Sequence, residues 1–226
     1  MRQATPKPDK PDLSTPYSRQ ALGWSLGVFL TVMLWLLTLS TCAHAQGMPR
    51  NAARHQLTLK REARQAWGLQ APLATFAGQV HQESRWRPDA ASPVGAQGMA
   101  QFMPATARWI SALDGQLATG DTLNPTWALR AMVVYDKWLS DRIKAVDDCN
   151  RMAFTLSAYN GGLGWVYRDQ ALASSSGLDQ LVWWSSAESV NAGRSAANWQ
   201  ENRHYPRAII FRHQPIYTAW GQGVCT

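Results

Sequence analysis

The feature that most constrains this chain is the helical spacing of its apolar residues beyond position 50. The clearest case follows the pair Asn124-Pro125, which suits a helix start because proline is tolerated in the first turn. The apolar residues after it recur every three or four positions and predict one buried stripe: Trp127, Ala131, Val134, Tyr135, Trp138, Leu139 and Ile143. Alternating strand patterns are scarce, so the sequence predicts a mainly α domain with at most a small β-sheet.

Further helices are predicted on both sides of this stripe. Leu57, Ala63 and Ala66 indicate one helix, and the spacing over 73–84 indicates the next, which Pro88 must end near Trp86. Pro104 should open a short helix through position 110. The remaining predicted helices cover 152–159, 163–171, 178–190 and 198–211.

The first 45 residues have the form of an export segment. Residues 1–20 are rich in Pro, Ser and charge and predict a disordered basic leader, while 21–39 carry no charge. Ala43-His44-Ala45 has the small-x-small form that signal peptidases accept, which favours cleavage before Gln46. The alternatives are an uncleaved helical anchor that holds the chain to the membrane through 21–39, and lipidation at Cys42. Residues 46–56 are then a linker, and 57–226 form one domain.

The charge and the cysteine content limit the binding partners and the metal sites that the sequence can have. The formal net charge of +7 suits an anionic wall or membrane surface, and the scattered Lys and Arg residues argue against nucleic acid. Cys149 and Cys225 are a possible disulfide in an oxidising compartment, with two buried free thiols as the alternative. His and Cys show no spacing typical of zinc, so we expect no metal and no cofactor.

Glu83 is a candidate catalytic carboxyl because of its surroundings. It comes at the end of an apolar helix, close to Trp86 and ahead of a Gly-rich loop. A carboxyl at such a cleft wall is partly desolvated, which raises its pKa and suits it to general acid catalysis. Judged by local sequence alone, a solvated glutamate that pairs with Arg85 or Arg87 is the favoured interpretation.

Three blocks change that interpretation. The run 83–107 resembles the signature of soluble-lytic-transglycosylase (SLT)-type domains, matching as E-S-x-[aromatic]-x-P-x-A-x-S-x-x-G-A-x-G-x-x-Q-x-M-P-x-T-A. Residues 158–162 resemble the A-Y-N-x-G block of that family, and 201–205 resemble its E-x-R-x-Y block. The resemblance covers roughly 57–210 and implies a single helical, goose-type lysozyme-like catalytic domain.

The resemblance also implies an activity on peptidoglycan glycan strands. Glu83 would protonate the bond between N-acetylmuramic acid and N-acetylglucosamine and then act as base, leaving a 1,6-anhydro end. A muramidase that uses water and an inactive wall-binding module are the alternatives. The expected location is the periplasm, and the expected setting is local wall opening for a secretion, conjugation or phage apparatus.

The matched positions divide by chemistry. Hydrogen-bonding residues are expected along the glycan cleft: Ser84, Gln101, Tyr159, Asn160 and Tyr205. Met99 is the methionine expected to touch a sugar ring, and Gly95 and Gly98 should let the loop approach the sugar. Glu201 is a second candidate carboxylate and is expected to bind substrate, although a structural role, in which it bonds Arg203 or a helix end, is favoured over a catalytic one. His81 should lie on another helix face than Glu83.

Overall fold

Seven α-helices carry most of the computed structural model, which describes residues 47–225. They are α1 (Ala52–Trp67), α2 (Leu73–Ser84), α3 (Pro104–Ser111), α4 (Pro125–Ser140), α5 (Asp148–Gly161), α6 (Leu163–Ser175) and α7 (Ala196–Arg207). α7 continues as a π-helical segment (Ala208–His213) and a 3-10 segment (Gln214–Trp220). The leader, signal and anchor predictions lie outside the described residues.

The prediction of a mainly α domain is confirmed. Within residues 47–225 the β-structure consists of two isolated antiparallel bridges, Ala91 with Gln97 and Gln97 with Phe102. α1 begins at Ala52, so the second half of the segment interpreted as a linker, 46–56, is helical. In the same part of the chain, no helix is both long and apolar enough to span a bilayer.

The helix predicted over 178–190 is wrong. This segment forms turns and one short 3-10 segment, Ala187–Ser189. Side chains take its amide groups away from helical bonding: Asp179 accepts from the Leu181 amide at 2.8 Å, and Asn150 accepts from the Trp183 amide at 2.8 Å. Such local bonds compete with helix formation.

α2 is the central helix, and it sets the position of Glu83. Every residue from Leu73 to His81 is buried, and the helix packs against the C-terminal π and 3-10 segments. The contact is close at Gly78, where an added Cβ would lie 2.9 Å from the Gln214 amide nitrogen. A helix enclosed on all sides is a rigid base for a side chain near its end.

α4 begins as the sequence predicts. The Asn124 side chain accepts from the amides of Thr126 and Trp127, and Pro125 occupies the first turn. Such a cap contributes about 1 kcal/mol. The stripe is only partly core, however, since Val134, Tyr135 and Trp138 are half-buried.

A disulfide joins Cys149, in the first turn of α5, to Cys225 near the C-terminus. The Gln214 side chain holds the same end of the chain, because it accepts from Thr75 at 2.6 Å and donates to the Val224 carbonyl at 2.8 Å. The last residues before 226 are therefore fixed against α2 and α5.

Candidate active site

A sharp turn at the end of α2 brings Glu83 to the surface. Arg85 and Trp86 both adopt left-handed backbone conformations, with φ of 53° and 65°, which cost about 1–3 kcal/mol each for such side chains. Tertiary contacts hold the turn, because Trp86 is fully buried and its Nε1 donates to the Tyr217 hydroxyl at 2.8 Å. The chain thus leaves the helix axis directly after Ser84, one residue beyond Glu83.

Glu83 opens onto a cleft of about 530 Å³. The cleft walls come from the end of α2, the loop before α3, and helices α4, α5 and α7. Their aromatic members are Phe102, Tyr135, Tyr159 and Tyr205. The ten tryptophans beyond residue 50 are absent from this lining, so tyrosine and phenylalanine rings form its apolar surface.

The environment of Glu83 favours the protonated carboxyl. Burial among protein atoms raises its pKa to about 8; a hydrogen bond from Tyr205 opposes this rise, and the negative charge of Glu201 adds to it. The Tyr205 hydroxyl donates to Glu83 Oε1. Burial, followed by the charge of Glu83, raises the pKa of Tyr205 well above its usual value, so this hydroxyl keeps the proton that it donates.

A second buried carboxyl, Asp136 in α4, lies behind Glu83, and the sequence analysis missed it. Asp136 is fully buried, and Gln79 Nε2, one turn before Glu83, donates to its Oδ1 at 3.3 Å. Burial raises the pKa of Asp136 well above its usual value, the bond from Gln79 lowers it, and Glu83 raises it further. The sequence does carry a signal for Asp136, because it is the single acidic residue of α4 and directly follows an apolar run.

The other oxygens of the two planar groups, Asp136 Oδ2 and Gln79 Oε1, are buried and have no partner in the described part of the chain. If Asp136 is protonated, its Oδ2 becomes a donor and Gln79 Oε1 is the acceptor on the same side. An acid and an amide then pair through two hydrogen bonds. The raised pKa and the two unmatched oxygens therefore both indicate a neutral Asp136.

Tyr159 and Asn160, at the end of α5, both line the cleft as the sequence analysis expects. The Tyr159 hydroxyl donates to the Ala100 carbonyl at 2.7 Å, and its ring lies parallel to that of Tyr205 with centroids 6.5 Å apart. Asn160 donates to Glu201 at 3.3 Å and accepts from Asn202 at 3.0 Å. Tyr159 therefore braces the loop, while Asn160 orients the carboxylate of Glu201.

Glu201 lies exposed in the first half of α7 and lines the cleft. Pairing with Arg203, one of the two structural alternatives, does not occur. Arg203 points to the other side and binds Asp169 Oδ2 at 2.9 Å and the Glu188 carbonyl at 2.8 Å. Glu201 is thus a charged group of the cleft itself.

The loop between α2 and α3 needs left-handed backbone at Gly95 and Gly98, with φ of 90° and 75°. The expected reason was an approach to the sugar, but Gly98 packs elsewhere, since an added Cβ would lie 1.8 Å from the Thr122 carbonyl oxygen. Gln101 lines the cleft, and its Nε2 donates to the Gly98 carbonyl at 2.9 Å and the Ala90 carbonyl at 3.2 Å. Gln101 therefore supports the loop from within the cleft.

Two expected cleft residues lie elsewhere. The Ser84 hydroxyl is buried at the helix end, where it accepts from the Arg87 amide at 3.3 Å, and Met99 is fully buried in the core. Ser92 and Met103, from the same motif, line the cleft in their place. A motif marks the segment but does not show which of its side chains face outward.

His81 lies on another face than Glu83, which confirms the prediction. It is buried, its ring stacks on that of His213 with centroids 4.4 Å apart, and its Nδ1 bonds to the Tyr217 hydroxyl at 2.9 Å. Among residues 47–225, no group of three His, Cys, Asp or Glu side chains is arranged to hold a metal ion.

Comparison with known proteins finds similarity to lytic murein transglycosylases. The chain is 32% identical over 109 residues to the membrane-bound lytic murein transglycosylase F of Shewanella halifaxensis, covering 48% of this chain and 22% of that protein. It is 30% identical over 143 residues to the protein of the same name from Maricaulis maris, covering 62% and 29%. The chain thus spans less than a third of the length of these relatives.

A solved structure has the same fold. It is the 70 kDa soluble lytic transglycosylase SLT70 of Escherichia coli, with a TM-score of 0.53 at 21% identity, covering 74% of this chain and 25% of that one. The family model described as "Transglycosylase SLT domain" matches residues 58–182, which include Glu83, the cleft loop, α4 and α5. The chain therefore belongs to the transglycosylase SLT domain family.

Proposed function

We propose that this chain cleaves the glycan strands of peptidoglycan as a lytic transglycosylase, with Glu83 as the catalytic acid and then the catalytic base. The observation that carries the proposal is a cleft carboxyl with a pKa raised to about 8. Such a group keeps its proton at neutral pH, as a general acid must. Membership of the SLT domain family and the names of the relatives support peptidoglycan as the substrate.

The proposed reaction uses the Glu83 carboxyl group twice, first as a proton donor and then as a proton acceptor. Glu83 protonates the glycosidic oxygen as the bond from that oxygen to C1 of N-acetylmuramic acid breaks, and positive charge develops at C1. The C6 hydroxyl of the same sugar attacks C1, and the Glu83 carboxylate takes the hydroxyl proton. A 1,6-anhydro end forms, Glu83 is protonated again and no water is consumed.

The neighbours of Glu83 fit these two steps. The Tyr205 hydroxyl stabilises the carboxylate that exists between the two proton transfers, because it donates to Oε1. Gln101, Asn160 and Glu201 offer polar groups to the hydroxyl and N-acetyl groups of the sugars. The Phe102 and Tyr135 rings offer apolar surface to the faces of the sugars.

We place this activity at the periplasmic side of a bacterial envelope. The name of the relatives includes "membrane-bound", and the apolar run at 21–39 suits export or tethering. Local wall opening for a secretion, conjugation or phage apparatus stays a prediction from the sequence.

The test is digestion of purified sacculi, followed by mass spectrometry of the released muropeptides. Wild-type protein should release products that are one water lighter than ordinary reducing ends. Glu83→Gln should lower the rate by a factor on the order of 10² to 10⁴, the usual contribution of a general acid–base group. Asp89→Asn is the matched control, because Asp89 is an exposed acid in the loop that follows α2. This variant should act like wild type.

Other outcomes separate the alternatives. Reducing ends in place of anhydro ends would identify a muramidase on the same fold. Binding to sacculi without any release would identify a wall-binding module. Unchanged release by Glu83→Gln would remove Glu83 from the reaction.

A further inference from the structure

A second pocket, of about 350 Å³, adjoins the cleft and shares Asn160 and Glu201 with it. We call it the Arg194 pocket. The Trp165 ring forms one wall, and the segment 193–198, which leads into α7, forms the other. A group attached to a strand in the cleft could therefore enter this pocket past Glu201.

Arg194 brings a buried and only partly compensated positive charge to this pocket. Its side chain is only 4% exposed, and its Nη1 binds Asp169 Oδ2 at 2.6 Å. The same oxygen also receives Arg203 Nη2 at 2.9 Å, so two guanidinium groups share one carboxylate. A buried charge that is not neutralised is costly, and an anion in the pocket would remove that cost.

The donors of Arg194 are also incomplete. Its Nε and Nη2 are buried and have no hydrogen-bond partner within residues 47–225. In contrast, every nitrogen of the Arg203 guanidinium has a partner among Asp169, Asn202 and three backbone carbonyls. The Arg194 guanidinium lies 4.9 Å from the centroid of the Trp165 ring. Arg194 and Trp165 both line the pocket, so the two unmatched donors belong to a side chain of its wall.

The start of α7 adds to this positive potential. Ser195 caps the helix by accepting from the Asn198 amide at 3.3 Å, and both residues line the pocket. The first amide groups of a helix have no partner within it, and the helix dipole is positive at this end. Arg194 and the start of α7 thus both favour a negatively charged ligand.

We propose that the Arg194 pocket binds a carboxylate of the peptide stem carried by the glycan strand. This inference rests on the proposed function. The hydroxyl and N-acetyl groups of the sugars are neutral, and the lactyl group of muramic acid is uncharged once a peptide is joined to it. The carboxylates of such a strand therefore lie on its stems. A planar guanidinium with two unmatched donors suits a carboxylate, while Glu201 at the entrance suits the amide or ammonium groups of the same peptide.

The test compares two forms of one substrate. Soluble glycan strands with intact stems are compared with the same strands after their stem carboxylates have been converted to amides. Wild-type protein should cleave the carboxylate form with kcat/KM about ten-fold higher, since a hydrogen bond to a charged group contributes at this level. Equal rates on the two forms would overturn the proposal.

Two variants and a control assign the preference to the pocket. Asn198→Asp places a negative charge in the pocket without touching the bridge from Arg194 to Asp169, and acid residues are favourable in the first turn of a helix, so the fold is kept. It should bring the ratio of the two rates close to one, as should Arg194→Gln. Gln200→Glu adds the same charge at an exposed position of α7 outside the pocket and should keep the wild-type ratio. An unchanged ratio in Asn198→Asp would refute the assignment.

Further measurements separate the ligand source and the underlying function. Strands stripped of stems carry a free lactyl carboxylate; if wild type cleaves them as fast as stem-bearing strands and Asn198→Asp slows them, the lactyl group is the ligand and the stem proposal fails. If wild type cleaves no strand, the proposed function fails. Calorimetry of Glu83→Gln protein with a free stem peptide and its amidated form would still test the pocket, with tighter binding of the carboxylate form expected and equal affinities contradicting it.

Discussion

The Tyr205 hydroxyl donates a hydrogen bond to the Glu83 carboxyl across a sequence separation of 122 residues. Glu83 comes from the end of the buried helix α2, and Tyr205 comes from α7. The bond stabilises the ionised carboxyl and so limits the rise in the pKa of Glu83 that burial produces. The pKa of Glu83 thus depends on two blocks that are distant in the sequence.

Tyr205→Phe should therefore shift the alkaline limit of activity. In wild type, activity should fall as pH rises through about 8, where Glu83 loses the proton that the first step needs. Without the tyrosine bond, the pKa of Glu83 rises and the alkaline limb moves to higher pH. The rate at the optimum should fall about ten-fold, because the carboxylate loses its donor. A pH–rate profile checks both effects, and Tyr167→Phe, at an exposed tyrosine, should leave the profile unchanged.

Glu83→Gln should stabilise the protein, more at pH 8 than at pH 5. The folded-state pKa of about 8 lies above the ordinary value of 4.5, so the folded state binds the proton more tightly, and the contribution of Glu83 to wild-type stability decreases as pH rises through this window. Glutamine has no such proton. Tm measured across pH should therefore differ by several degrees at pH 8, since 1 kcal/mol shifts Tm by roughly 2–4 °C at this size. A constant difference between pH 5 and pH 8 would contradict the raised pKa.

Asp136→Asn should be tolerated, whereas Asp136→Ala should not. A neutral Asp136 pairs with Gln79 as an amide would, so asparagine can preserve both hydrogen bonds and leave the alkaline limb of activity in place. Alanine leaves Gln79 buried without its partner and opens a cavity, at a cost of about 2 kcal/mol or more in unfolding free energy. Denaturant unfolding and the pH–rate profile are the measurements. A limb that moves to lower pH in Asp136→Asn would mean that Asp136 is ionised in the wild type.

Acid should destabilise the protein through His213, which bonds to Gln82 at 2.9 Å. Burial, followed by the charges of His81 and Arg212, lowers the pKa of His213 to about 4. The pKa lies below the ordinary value of 6.5, so the contribution of neutral His213 to stability is fully present above pH 6.5 and is lost as pH falls towards 4. His213→Gln should flatten this decline, while His204→Gln, at an exposed histidine, should not. Parallel Tm–pH curves for wild type and His213→Gln would exclude this origin.

The sequence by itself determined the elements whose signals are local. The apolar periodicity predicted helices at α1, α2, α4 and α5, and the Asn124 cap fixed where α4 begins, because capping and the burial of one helix face depend on residues a few positions apart. The motif at 83–107 indicated the family and marked Glu83 as the candidate carboxyl. The structure of the segment 178–190 could not be predicted from local signals, because its amides bond to side chains such as Asn150, which is distant in sequence.

Only the tertiary structure decided what each motif residue does. Ser84 and Met99 are buried while Ser92 and Met103 line the cleft, since the left-handed turn after α2 and the packing of Gly98 on Thr122 orient the loop. The pKa of Glu83 likewise depends on burial and on groups from other helices, namely Tyr205 and Glu201. Proton affinity depends on the dielectric surroundings and on charges a few ångströms away. Those distances are set by the fold, whereas the position of the carboxyl was already fixed by the sequence.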